Sequence, residues 1–216
     1  MMMSLVRNTV YTFVITMVCV TSLHAQSALD QLFKGVLQGD VPAVTSLLDR
    51  GLDPNTADAD GVTILMMAAR LGHRDLVRAL VARKANVSAR SPHGDTALMF
   101  AALKGHLDIA RLLIDQGAPV NQSGWQPLHY AAFEGRSDVI RLLLDKGADK
   151  DGLAPNLYSP LMLAVRGGHL EAVRELLRSD ADFAIEGPNG ETALGLAQGK
   201  RLTEVEALLK RAGAVK

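Results

Sequence analysis

The sequence predicts an all-α repeat solenoid of six helix-pair units, and three observations carry that reading. Six leucines, Leu32, Leu65, Leu98, Leu128, Leu161 and Leu194, recur at intervals of 33, 33, 30, 33 and 33 residues. A fixed period in this range marks a stack of identical supersecondary units. Further markers hold the same register. Glycine stands seven residues on (Gly39, Gly72, Gly105, Gly135, Gly168, with Arg201 in the last unit), and leucine fifteen on (Leu47, Leu80, Leu113, Leu143, Leu176, Leu209). Composition is the third observation: aromatics are only 4% of the 216 residues, which disfavours an all-β fold, since strands are enriched in aromatic residues.

Each unit repeats one local logic, shown by Gly94 to Gly117. Thr96 precedes the apolar run Ala97 to Ala102 and reads as the cap of a short first helix. Gly105 ends that helix. Apolar residues at 109, 110, 112 and 113 then have a helical period, so a second helix follows. Gly117 stops it, and a polar stretch with Pro119 and Gly124 reads as an extended turn. The 30-residue interval places a deletion between Gly117 and Gly124, so that finger should be shorter. The alanine pairs Ala68-Ala69, Ala101-Ala102 and Ala131-Ala132 are small where neighbouring helices must approach. The last unit carries Gly195 and Gly199 in its first helix, which is expected to fray.

Residues 1–25 are a different kind of sequence. Arg7 is the only charge ahead of an apolar run from Val10 to Val20, and Ala25 precedes Gln26. This pattern reads as a secretory signal peptide cut after Ala25, leaving residues 26–216 as the repeat domain. The rival is an uncleaved inner-membrane anchor, but the run is well short of the roughly 20 residues needed to span a bilayer. Cys19 is the only cysteine, and Val18 before it does not suit a lipoprotein site. Loss of the leader would leave no thiol, which fits an oxidising compartment such as a periplasm or the extracellular space.

The repeating residues resemble the ankyrin repeat, whose signature is G-x-T-P-L-H-x-A-A-x-x-G-H. The matches include Gly61-Val62-Thr63-Ile64-Leu65 through Gly72-His73, Gly94-Asp95-Thr96-Ala97-Leu98 through Gly105-His106, Pro127-Leu128-His129-Tyr130-Ala131-Ala132 through Gly135, and Ser159-Pro160-Leu161 through Gly168-His169. The resemblance covers residues 28–216 and implies six ankyrin repeats, each a helix pair with a hairpin finger. The first and last act as caps. It also implies a binding role and a concave face built from finger tips and first helices.

Catalytic and metal chemistry find no footing. One cysteine allows no cysteine-based zinc site, and the chain lacks HExxH, a P-loop and a nucleophile elbow. His73, His106 and His169 share one repeat position and read as structural, hydrogen-bonded to the adjacent repeat, and the resemblance implies that His129, in Pro127-Leu128-His129, ties the turn. His93 lies in a finger tip. No enzyme and no cofactor are expected; a hydrolase or metal enzyme is the least favoured alternative. Lys+Arg and Asp+Glu balance at 23 each, so nothing calls for nucleic acid or an anionic membrane.

What such an array can do is bind another protein, as a monomer. Positions expected to be exposed on the first helices and finger ends give Arg70, Leu71, Asp95, Leu103, Lys104, Trp125, Phe133, Glu134, Tyr158 and Arg166 as the protein-binding set. Trp125, Phe133 and Tyr158 are three of the seven aromatics outside the leader, and exposed aromatics rimmed by charge make interface hot spots. The alternative for Trp125 is local packing over the short finger, against Tyr158 or the next repeat. The expected client is an exported protein, such as an enzyme that it stabilises or inhibits. The other reading is a secreted effector acting on a host protein.

Overall fold

A computed structural model describes residues 27–214; the proposed leader lies outside the described residues. The chain divides into two compact units, up to Asp53 and from Pro54 onward. In the first, helix α1 (27–38) is followed by α2 (Val41–Asp49). Asp40 caps α2, its carboxylate accepting the Ala43 N–H, and Pro42 fits the first turn, where no N–H is needed. Leu32, Val36, Val44, Leu47 and Leu48 are the buried apolar side chains of this pair. A Cβ on Gly35 would stand 2.9 Å from Val44, so glycine sets the close approach of the two helices.

The second unit stacks five helix pairs. These are α3 (Ile64–Leu71) with α4 (Arg74–Ala82), α5 (Ala97–Lys104) with α6 (Leu107–Asp115), α7 (Pro127–Phe133) with α8 (Ser137–Asp145), α9 (Pro160–Gly167) with α10 (Leu170–Arg178), and α11 (Ala193–Gly199) with α12 (Thr203–Arg211). The odd-numbered helices are short and apolar on nearly every side, because they pack against each other and against the even-numbered row. The alanine pairs are fully buried between them.

Capping follows one pattern. The hydroxyls of Thr63, Thr96, Ser159 and Thr192 accept the N–H three residues on, at 3.2–3.3 Å. Gln126 takes this place in the fourth repeat, and among the described residues its buried Oε1 has no hydrogen-bond partner. Helix α11 spans Ala193–Gly199 with both glycines inside it. Burial of Ala193, Leu194 and Ala197 against α9 and α12 outweighs the poor propensity.

The fingers are turns rather than strand pairs; among the described residues only one antiparallel bridge forms, Ala57 with Thr63. They are joined in series instead. Side-chain oxygens of Asn55, Asn121 and Asp151 accept backbone N–H groups of Asn86, Asp149 and Asp182 in the following finger, at 2.7–2.9 Å.

The register also dictates backbone conformations that the residue types do not favour. Gly61, Gly94, Gly124 and Gly190 hold left-handed φ angles at the finger end, and Leu157 sits in the corresponding place with φ 63° and half its surface exposed. An L side chain there costs about 1–2 kcal/mol, while glycine returns part of that gain as unfolded-chain entropy. Leu157→Gly is therefore expected to raise stability by about 0.5 kcal/mol, read as a higher urea midpoint at unchanged slope.

A candidate protein-binding face

The odd-numbered helices present their C-terminal turns side by side. Three bonds from the residue opening the next outer helix hold them. His106 Nε2 donates to the Arg70 carbonyl (3.3 Å), Arg136 Nε to Leu103 (3.2 Å) and His169 Nε2 to Phe133 (3.0 Å). The structural role expected of His106 and His169 is the one observed, and Arg136 does the same work where the histidine is absent.

Phe133 ends α7 with 53% of its surface exposed, the most open aromatic among the described residues. Leu71 ends α3 at 40% exposed, and Leu103 is half-buried beside the exposed Lys104. Arg70 and Arg166 are exposed in the last turns of α3 and α9, where a cation also complements the helix dipole. Glu134 is half-buried and pairs with Arg136 at 3.4 Å.

At the finger side the expected exposure is corrected. Tyr158 is buried, only 9% exposed. Its ring lies under the Arg166 guanidinium, 4.4 Å from centroid to Cζ, and its hydroxyl donates to Glu191. That hydrogen bond holds the Glu191 carboxyl below its ordinary range and pushes the Tyr158 phenol up. A long side chain at this position reaches across to the next repeat rather than outward. Trp125 is half-buried, packing edge-on to His129 (5.8 Å) and tilted on Tyr130 (5.7 Å), not on Tyr158. Asp95 is half-buried and accepts the Tyr130 hydroxyl at 2.7 Å; burial first, then this carboxylate, raises the Tyr130 phenol.

Two half-buried rings on this face, Phe100 and Tyr130, fall outside the expected set. Arg70 lies over the Phe100 ring at 5.6 Å. Each precedes a predicted residue by three positions, Leu103 and Phe133, which places them on one helical stripe; that spacing was the available signal.

His129 is fully buried behind the face. Its Nδ1 accepts the Gln126 N–H (3.0 Å) and its Nε2–H donates to the Gly152 carbonyl in the next finger (2.7 Å). Burial lowers its pKa below the ordinary histidine value. On the outer side Glu175, with 7% of its side chain exposed, is clasped by Arg141 through two bonds (3.0 and 3.1 Å) and by Arg178 (2.8 Å). The Arg141 bond holds its carboxyl below the usual range. These pairs are structural. Among the described residues no group of three or more histidine, cysteine or acidic side chains could hold a metal, and no helix is long and apolar enough to cross a membrane.

Comparison with known proteins agrees with this geometry. A family model for ankyrin repeats in three copies matches residues 32–122 and 83–154, and a single ankyrin repeat model matches 156–187. Among solved structures, the ankyrin repeat domain of Bcl-3, described as a unique member of the IkappaB protein family, is similar at 30% identity and a TM-score of 0.74. The match covers 86% of each chain. With matched repeats along most of its length and helix pairs in the same register, this chain belongs to the ankyrin repeat family, as an all-α repeat solenoid.

Proposed function

We propose that the chain is a non-catalytic module, exported by its leader to a periplasm-type compartment, that grips a client protein through the inner face of residues 54–214. An exported enzyme that it stabilises or inhibits is the favoured client class. The reading rests on Phe133, a large ring left half in solvent by a helix whose other faces are packed. It stands in line with Leu71, Leu103, Arg70 and Lys104. Because Tyr158 and Trp125 are engaged locally, the direct contact is carried by Phe133 and Leu71, with Trp125 and Tyr158 shaping the surface behind them. Docking onto stacked, bonded helices needs little ordering, which favours affinity.

The test is capture from an exported fraction with wild type and with Phe133→Ala/Leu71→Ser. The expected result is loss of one client from the variant eluate, with helical content and denaturation midpoint within about 0.5 kcal/mol of wild type, as for exposed substitutions. Equal capture by both forms places the interface elsewhere.

A further inference from the structure

The inner face also carries information about what chemistry a partner must present. Arg70, Lys104 and Arg166 lie in the last turns of α3, α5 and α9; Lys200 and Arg201 follow α11. All five are exposed, and among the described residues none forms an ion pair. Glu134, on the same edge, is held by Arg136. The other acids of the face, Asp95 and Glu191, lie at the opposite, N-terminal ends of the helices and accept tyrosine hydroxyls. A chain with no net charge has therefore gathered unpaired positive charge along one edge. Helix dipoles account for one cation at each C-terminus. They do not account for Leu71 and Phe133 standing exposed among those cations.

We infer that the C-terminal edge of the inner helices docks an acidic segment of a partner protein, with a central apolar side chain seated on Phe133 and carboxylates to either side. This rests on the inner face being the binding face. The order along the edge is cation on α3, cation on α5, ring on α7, cation on α9, cations after α11. Packed helices lie about 8–10 Å apart. That distance is about three residues of an extended segment or about six of a helix, so acidic residues should recur at one of those spacings. The interleaved apolar groups suit such a segment better than a sugar–phosphate backbone, which has no apolar side chain to place on Phe133.

The experiment selects peptides from a displayed random library on the full chain and synthesises those enriched. The expected peptides carry an excess of Asp and Glu around an apolar residue. Their affinity should fall about tenfold for Lys104→Gln/Arg166→Gln, a few-fold for each exposed charge removed, and weaken with salt. Circular dichroism of that variant should match wild type. Neutral or basic peptides whose binding still needs Phe133 would overturn the acidic assignment and leave the inner face standing. So would acidic peptides that need Phe133 but bind the Gln variant unchanged. Enriched peptides insensitive to both Phe133→Ala and the Gln pair, or no enrichment, would overturn the inference and the underlying reading together. Duplex DNA that binds wild type and loses affinity in the Gln variant, in place of peptide, would assign the edge to nucleic acid and likewise overturn the inference.

Discussion

Replacing His129 with alanine is expected to lower the unfolding free energy by about 3 kcal/mol. The change removes one buried and one part-buried hydrogen bond, leaves the Gly152 carbonyl and Gln126 N–H short of partners, and opens a hole beside Trp125. A buried group stripped of its partner costs about 1–3 kcal/mol, and the cavity adds to it. The control is His93→Ala at an exposed finger tip, which should stay within about 0.5 kcal/mol of wild type in the same urea titration. The effect depends on pH in a fixed direction. Burial holds His129 neutral in the folded chain, so the folded state binds fewer protons than the unfolded one below the ordinary histidine pKa of about 6.5. Wild-type stability from this residue is complete above that value and is lost as pH falls beneath it. The gap between wild type and His129→Ala should therefore shrink between pH 7 and pH 5. A gap that widens on acidification would show that the charged form is the one bound.

Gly135→Ala is expected to cost about 3 kcal/mol, and Gly147→Ala only about 1. Both glycines have left-handed backbones, φ 67° and 82°, so both substitutions bear the same local strain of about 1–2 kcal/mol. The difference lies in the space around them. A Cβ at Gly147 meets nothing within 4 Å, whereas at Gly135 it would stand 2.5 Å from Cγ and 2.6 Å from Nδ1 of His169. The imidazole must move, and its bond to the Phe133 carbonyl is lost. Equal midpoints for the two variants would mean that the His169 link contributes nothing. Because that link anchors the last residue of α7, Gly135→Ala should also weaken client or peptide binding, whereas Gly147→Ala should not.

Much of this was legible in the residues. The leucine and glycine register located the helix pairs, because a repeat must place the same side chain against the same neighbour each time. The shared position of His106 and His169 pointed to a link between repeats, and the link is there. Phe133, Leu71, Arg70, Lys104 and Arg166 were expected to be exposed from the ankyrin resemblance, which says which repeat positions face outward, and they are exposed. Trp125 and Tyr158 stand at the same repeat position, yet one half-covers His129 and the other lies beneath Arg166. Phase says which way a Cα–Cβ bond points. It does not say where a long side chain ends when the adjacent repeat offers a guanidinium or a carboxylate.

The sequence by itself determined the fold class and the repeated helix pairs, with Thr96 as a cap, since these follow from local periodicity and backbone preference. Only the tertiary structure decided which rings remain open and which acids are spent on tyrosine hydroxyls. Those outcomes depend on contacts between residues about thirty positions apart, whose packing and hydrogen bonds override what each residue would choose alone.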